Sequence, residues 1–201
     1  MSTVHRIPVK ERLVRAATEL IEQDGYAAAS VVAIAQRADV ATGALYRHFP
    51  SKAELFVTVF RSAAARELAA MRAAAAREHR FDQRFQAVIM TYATRAIENR
   101  RAAWALVYEP VDPLVDVERL TYRREFCRGM AQLLREGVTA GEIPEQDTDL
   151  SAAAVVGAIA EALVSPVSPV GGETTSGSDI VAAIVEFCGR AIGLETSSEH
   201  R

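Results

Sequence analysis

Cysteine is scarce: Cys127 and Cys188 are the only two in 201 residues, far apart and each in an apolar helical stretch. That excludes a disulfide framework and predicts buried, inert thiols in a reducing compartment. The first ten residues, Met1 to Lys10, lack an apolar signal core, so the expected location is cytoplasmic. No long hydrophobic run interrupts the chain either. The most apolar stretch, Leu150 to Val164, carries Glu161 and reads as too short to span a bilayer, so no membrane partner is expected. Histidine is rare, and His5, His79 and His200 fall in a tail, a helix end and a tail. No His, Cys or carboxylate spacing fits a metal site, so the sequence predicts no catalytic residues, no metal and no cofactor. Gly172 to Ser178 echoes a phosphate loop without its lysine or a preceding strand, and is set aside. Strand-like alternation and solenoid-length repeats are both absent.

What is present is helical periodicity and an uneven charge distribution. The net charge is −3. Residues 1–61 hold eight Lys/Arg against six Asp/Glu, a net +2, while the remainder holds fifteen against twenty, a net −5. The positive end is the one suited to phosphate, since binding needs only a local positive potential.

From Val9 to Gln23, Leu13, Ala16, Ala17, Leu20 and Ile21 recur at three- and four-residue spacing and make one apolar stripe. Asp24-Gly25 supplies a stop. Ser30 is positioned to cap a short helix over Val31 to Ala38, Asp39-Val40 makes a turn, and a second short helix covers about Thr42 to Phe49 before Pro50. Ser51-Lys52-Ala53-Glu54 reads as a capping box opening a long helix to about His79. Further helices are predicted at Asp82–Glu98, Arg101–Tyr108, Val115–Ala140, Asp147–Val164 and Asp179–Ile192, with a flexible or partly extended connection over Ser165 to Ser178. The expected fold is all-α: a three-helix head over 8–68, joined by the long helix to a larger helical domain over 69–201.

Two short helices about three residues apart, with Ala33, Ile34, Ala38, Val40, Leu45 and Phe49 spaced to share a core, match a helix-turn-helix. Ala35 and Gly43 are small where two helix backbones could approach. With Leu45 and Phe49 turned inward, the second helix is expected to expose Thr42, Gly43, Ala44, Tyr46, Arg47 and His48. Thr42 and Ala44 suit base edges and thymine methyls; Tyr46, Arg47 and His48 suit phosphate oxygens. Lys52 joins a cation to a helix N-terminus, both favourable to phosphate, and Ser30 is a further candidate contact.

Residues 10 to 60 resemble the DNA-binding domain of the tetracycline-repressor (TetR) family. The matching pieces are Asp24-Gly25-Tyr26, Ser30 with Val32-Ala33-Ile34-Ala35, Ala38-Asp39-Val40, Thr42 to Phe49 and Ser51-Lys52-Ala53-Glu54-Leu55. The resemblance implies a helical ligand-binding domain, a symmetric homodimer, double-stranded palindromic operator DNA as partner, and release from DNA when a small molecule binds. Three departures bear on the operator sequence: Asp39 replaces the usual turn glycine, Ala41 the usual Ser or Thr, and Val32 cannot make a polar base contact.

Beyond the head, the helices over 147–164 and 179–192 are apolar nearly all round and must be covered on every side, which predicts a four-helix dimer interface with their two-fold mates. Phe85, Met90, Tyr92, Trp104, Tyr108, Tyr122, Phe126 and Met130 are candidate ligand-binding residues, with Arg95, Glu98, Glu109, Arg123 and Arg124 available to orient a ligand. The competing readings are a helical lipid-binding or interaction protein that binds no operator and, less well supported, an enzyme.

Overall fold

The structure is a computed structural model and describes residues 7–169 and 176–194. Helices make up the described residues, in the order α1 (Val9–Asp24), α2 (Val31–Arg37), α3 (Gly43–His48), α4 (Lys52–Ala75), α5 (Phe81–Glu98), α6 (Arg100–Val107), α7 (Pro113–Thr139), α8 (Thr148–Val167) and α9 (Gly177–Ala191). The all-α expectation holds. His5, His200 and most of the loop echoing a phosphate site lie outside the described residues.

The chain forms two compact units. One contains the described residues up to Ala64 together with Arg101–Leu120; the other contains Ala65–Arg100 and the described residues from Thr121 onward. The chain crosses from one to the other inside α4, near the start of α6 and inside α7.

In the first unit α1, α2 and α3 pack on one another around Leu13, Ile34 and Leu45, all fully buried. Short helices leave many free backbone ends, and side chains meet several of them. Ser30 Oγ accepts from the Ala33 N–H at 3.1 Å, and Ser51 Oγ from the Glu54 N–H at 3.1 Å, which is the serine half of the predicted capping box. Helix α6 has no glycine stop; Arg119 of α7 donates instead to the carbonyls of Ala105 (2.7 Å) and Leu106 (2.8 Å).

In the second unit α5 packs against both α8 and α9, which also pack on each other. Phe85, Ile89, Met130, Leu134, Ile159, Cys188 and Ile192 are among its fully buried side chains. Asp147 caps α8 by accepting from the Asp149 and Leu150 N–H groups. Helix α8 corrects the sequence reading. It continues through Ser165 and Pro166 to Val167, and its 20 residues are long and apolar enough to cross a membrane by length and composition. Proline in the last turn forfeits one hydrogen bond without breaking the helix before it. The helix packs as a core element, burying Ala152, Val155, Val156, Ile159 and Leu163.

Candidate nucleic-acid interface

The turn between α2 and α3 is set by Asp39, whose φ of +52° is left-handed, a conformation that aspartate tolerates better than most residues. Its geometry is fastened from α1: Arg12 Nε donates to the Ala38 carbonyl at 2.9 Å, and its Nη2 donates to the carbonyl of Asp39. Sequence reasoning missed Arg12 because its partners lie 26 and 27 residues away and carry no periodic signal.

Helix α3 begins at Gly43, with Thr42 at the N-cap position in helical conformation and making no side-chain capping bond. Thr42, Gly43, Tyr46, Arg47 and His48 are exposed, Tyr46 at 58%. Ala44 is the exception. Expected on the open face, it is 4% exposed and lies inward beside Leu45. In a helix of only six residues starting at Gly43, positions 44 and 45 both face the small core, so Ala44 is a packing residue rather than a candidate contact. Gly43 departs from expectation in another way. A Cβ built there meets nothing within 4 Å, so its smallness serves no helix–helix approach and leaves an open notch on the exposed face. Ala35, by contrast, is 1% exposed and does sit in the packed interior.

Two ammonium groups flank this face. Lys10 lies over the Phe49 ring at 5.5 Å and Lys52 over Phe56 at 4.8 Å, both within cation–π range. Partial burial pulls the Lys52 pKa below its ordinary value. Ser30 is exposed but its hydroxyl oxygen is engaged in capping.

The eight ligand candidates are divided between the two units. Phe85, Phe126 and Met130 are buried in the core of the second unit, and Tyr92 packs on Phe126 with ring centroids 5.2 Å apart. Burial pushes the Tyr122 hydroxyl well above the usual phenol range. Trp104 and Tyr108 lie in the first unit, their rings tilted by 37° with centroids 5.0 Å apart, and Glu109 lies in the same unit, where it accepts from the Tyr26 N–H. Of the eight, Met90 lines an open groove of about 870 Å³ between α5 and α9, with Ile97, Val181, Val185 and Leu194 as its apolar floor. Arg95 is held bidentately by Glu67 at 2.6 and 2.8 Å. Among the described residues, no three His, Cys, Asp or Glu gather as a metal site.

A three-helix head with a left-handed turn between its short second and third helices, followed by a long capped helix, defines a helix-turn-helix protein. Residues 13–59 match the family described as bacterial regulatory proteins, tetR family. The repressor KstR of Rhodococcus jostii is 48% identical over 58 residues, 29% of this chain and 26% of that protein. The chain thus matches about a quarter of the length of the curated relatives. Among solved structures, a TetR/AcrR-family regulator from Thermobifida fusca aligns with a TM-score of 0.70 and 25% identity over 96% of this chain and 98% of that one. The regulator FadR of Bacillus subtilis, solved in complex with stearoyl-CoA, aligns with a TM-score of 0.77 and 20% identity over 90% and 98%.

Proposed function

We propose that the protein is a sequence-specific DNA-binding transcriptional regulator acting in the cytoplasm, a homodimeric repressor released from a palindromic operator by a small molecule. The observation that carries this reading is the exposed face of α3: Thr42, the open notch at Gly43, Tyr46, Arg47 and His48, flanked by Lys52, on a segment that matches the tetR family. Gly43 lets the backbone approach base edges; Thr42 offers a hydroxyl and methyl to bases; Tyr46, Arg47, His48 and Lys52 donate to phosphates. Ser30 supplies a further donor through its hydroxyl hydrogen. The head over 8–68 reads DNA, and 69–201 binds the effector and dimerises.

The test is selection of bound duplex from a random pool, followed by gel shift. A palindrome with half-sites about one helical turn (~34 Å) or a multiple apart is expected. Lys52→Ala should weaken binding evenly across sequences and lower the slope of log affinity against log salt by about 1. Wild-type protein that binds every duplex equally at moderate salt rejects the reading.

Dimerisation through α8 and α9 is supported by what those helices leave uncovered. Phe187 is 53% and Leu150 67% exposed, and a shallow groove of about 320 Å³ runs between Ala158 and Ala162 on α8 and Ala183 and Phe187 on α9. Large exposed apolar side chains beside small ones form a self-complementary surface. Phe187→Glu is expected to give monomer by light scattering at micromolar concentration, with operator affinity lost alongside.

For the effector, the α5/α9 groove lies within the usual volume range of small-molecule sites. Its lining includes Asp82, Glu98 and Glu186 but no Lys or Arg; Asp82 and Glu186 are paired by Arg80 and Arg190 at the side. That lining favours an uncharged or cationic amphiphile over an anionic one. Stearoyl-CoA, the ligand in the FadR complex, is therefore the informative counter-probe: release of operator by a long-chain amine or alcohol but not by stearoyl-CoA supports the groove, and the reverse result rejects it.

A further inference from the structure

The first unit contains a segment that the helix-turn-helix pattern does not include. Residues 101–120, more than thirty positions beyond the end of the head at residue 68, belong to it. The attachment is made at the C-terminal end of α1. Arg101 Nη2 donates to the Asp24 carbonyl at 2.7 Å, supplying a partner that the helix end lacks. The same guanidinium is paired with Glu109 at 2.5 Å, and the other oxygen of Glu109 accepts the Tyr26 N–H at 2.8 Å. The Glu109 side chain is only 12% exposed, so this is not a solvated surface pair. Between the two anchor points stands Gly25, with φ +83°, where a Cβ would collide with the Arg101 guanidinium and the Glu109 carboxylate. Tyr26 then packs edge-on against Phe56 of α4 at 4.7 Å, and burial, with the Glu109 and Asp116 charges, pushes its hydroxyl up to about 12 against the opposing pull of Arg119. Farther along, Arg61 of α4 is held bidentately by Glu118 of α7 at 2.6 and 2.9 Å.

Arg101 and Glu109 thus hold both sides of one glycine turn at the end of α1, and the segment carrying them continues by peptide bonds into the second unit at Arg100 and at Thr121. We propose that Arg101 and Glu109 are positioning residues that lock the DNA-reading head to the 101–120 segment, so that the pose of α3 is set by this clasp as well as by α4. The proposal rests on the DNA-binding reading. Neither residue touches DNA; they act by fixing where the end of α1, and with it α2 and α3, is held.

The experiment uses full-length protein and the operator selected above, with a panel in which the spacer between half-sites is lengthened or shortened by one base pair. A loss of clasp that left the head folded would not change affinity for a duplex carrying one half-site, yet would relax spacing preference. Wild type is expected to prefer the selected spacing by about tenfold or more, the scale of a typical coupling between sites. Glu109→Ala and Arg101→Met should reduce that preference to within about twofold and speed hydrogen exchange at the Tyr26 amide by about tenfold or more. Glu109→Gln, which still accepts from Tyr26 but has no charge for Arg101, should fall between. Unchanged spacing preference in a folded Glu109→Ala protein overturns the proposal, and so does unchanged exchange at Tyr26. Should either variant fail to fold, Gly25→Ala tests the same turn from the other side, with the same two readouts. If wild type selects no duplex at all, the regulator reading falls, and exchange at Tyr26 still decides whether the clasp exists.

Discussion

The two units are held together by different means. In the second, large side chains fill the interior: Phe81, Phe85, Ile89, Phe126, Met130, Leu134 and Ile159 are all buried. In the first, large residues such as Leu13, Ile34, Leu45, Phe49, Leu55, Phe56 and Phe60 are buried too, but many alanines, among them Ala16, Ala17, Ala29, Ala35, Ala38 and Ala44, are interleaved with them, and the frame is also closed by side chains reaching backbone groups far away in sequence. Arg12 reaches the turn, Arg101 and Glu109 reach the end of α1, and Arg119 reaches the end of α6. Short helices expose a high proportion of unpaired backbone ends and bury little area, so directional bonds take a larger share of the work. The first unit should therefore be the more sensitive of the two to lost donors.

That contrast can be broken by substitution. The largest effect is expected in the apolar unit: Phe85→Ala should destabilise the protein by about 3–5 kcal/mol in a denaturant melt, through lost burial and a residual cavity. Arg12→Ala should cost about 1–2 kcal/mol, because two carbonyls at the turn lose their partner, and operator affinity should fall with it. A Phe85→Ala cost below that of Arg12→Ala would reverse the comparison. Gly43→Ala is expected to raise stability by about 0.5–1 kcal/mol, since the position is helical and open, while weakening operator binding by filling the notch. Stability and affinity moving in the same direction there would remove Gly43 from the DNA-facing surface. The smallest shift is expected from Asp39→Gly, a gain of about half a kcal/mol in the melt, because relief of the left-handed φ is partly offset by a looser unfolded chain.

The same contrast explains what could be read from the chain. Helix positions follow from periodicity and punctuation, and the head is marked by residues within one short window, from Ser30 to Leu55. Ala44 reads as exposed because a six-residue helix has too few turns to show how wide its buried side is; 44 and 45, one step of about 100° apart, both lie inward. The clasp was hidden for another reason: Tyr26 and Glu109 are 83 positions apart, and an ion pair leaves no period in the sequence. Glu109, Trp104 and Tyr108 accordingly read as ligand candidates, although they fall in the same compact unit as α1. In the second unit, an aromatic that fills a core and one that lines a cavity have the same spacing. Phe85, wholly buried, and Met90, 48% exposed in the α5/α9 groove, are five residues apart on one helix.

Helix α6 ends on two carbonyls that accept from a later residue, Arg119. A stretch of eight residues is too short to persist alone in water. During synthesis it must therefore wait until the opening turns of α7 have emerged before its own last turn becomes stable. A peptide covering 100–109 should give a random-coil circular dichroism spectrum, whereas one extended to residue 122 should gain helix; the order of assembly is written into which helix supplies the stopper for the other.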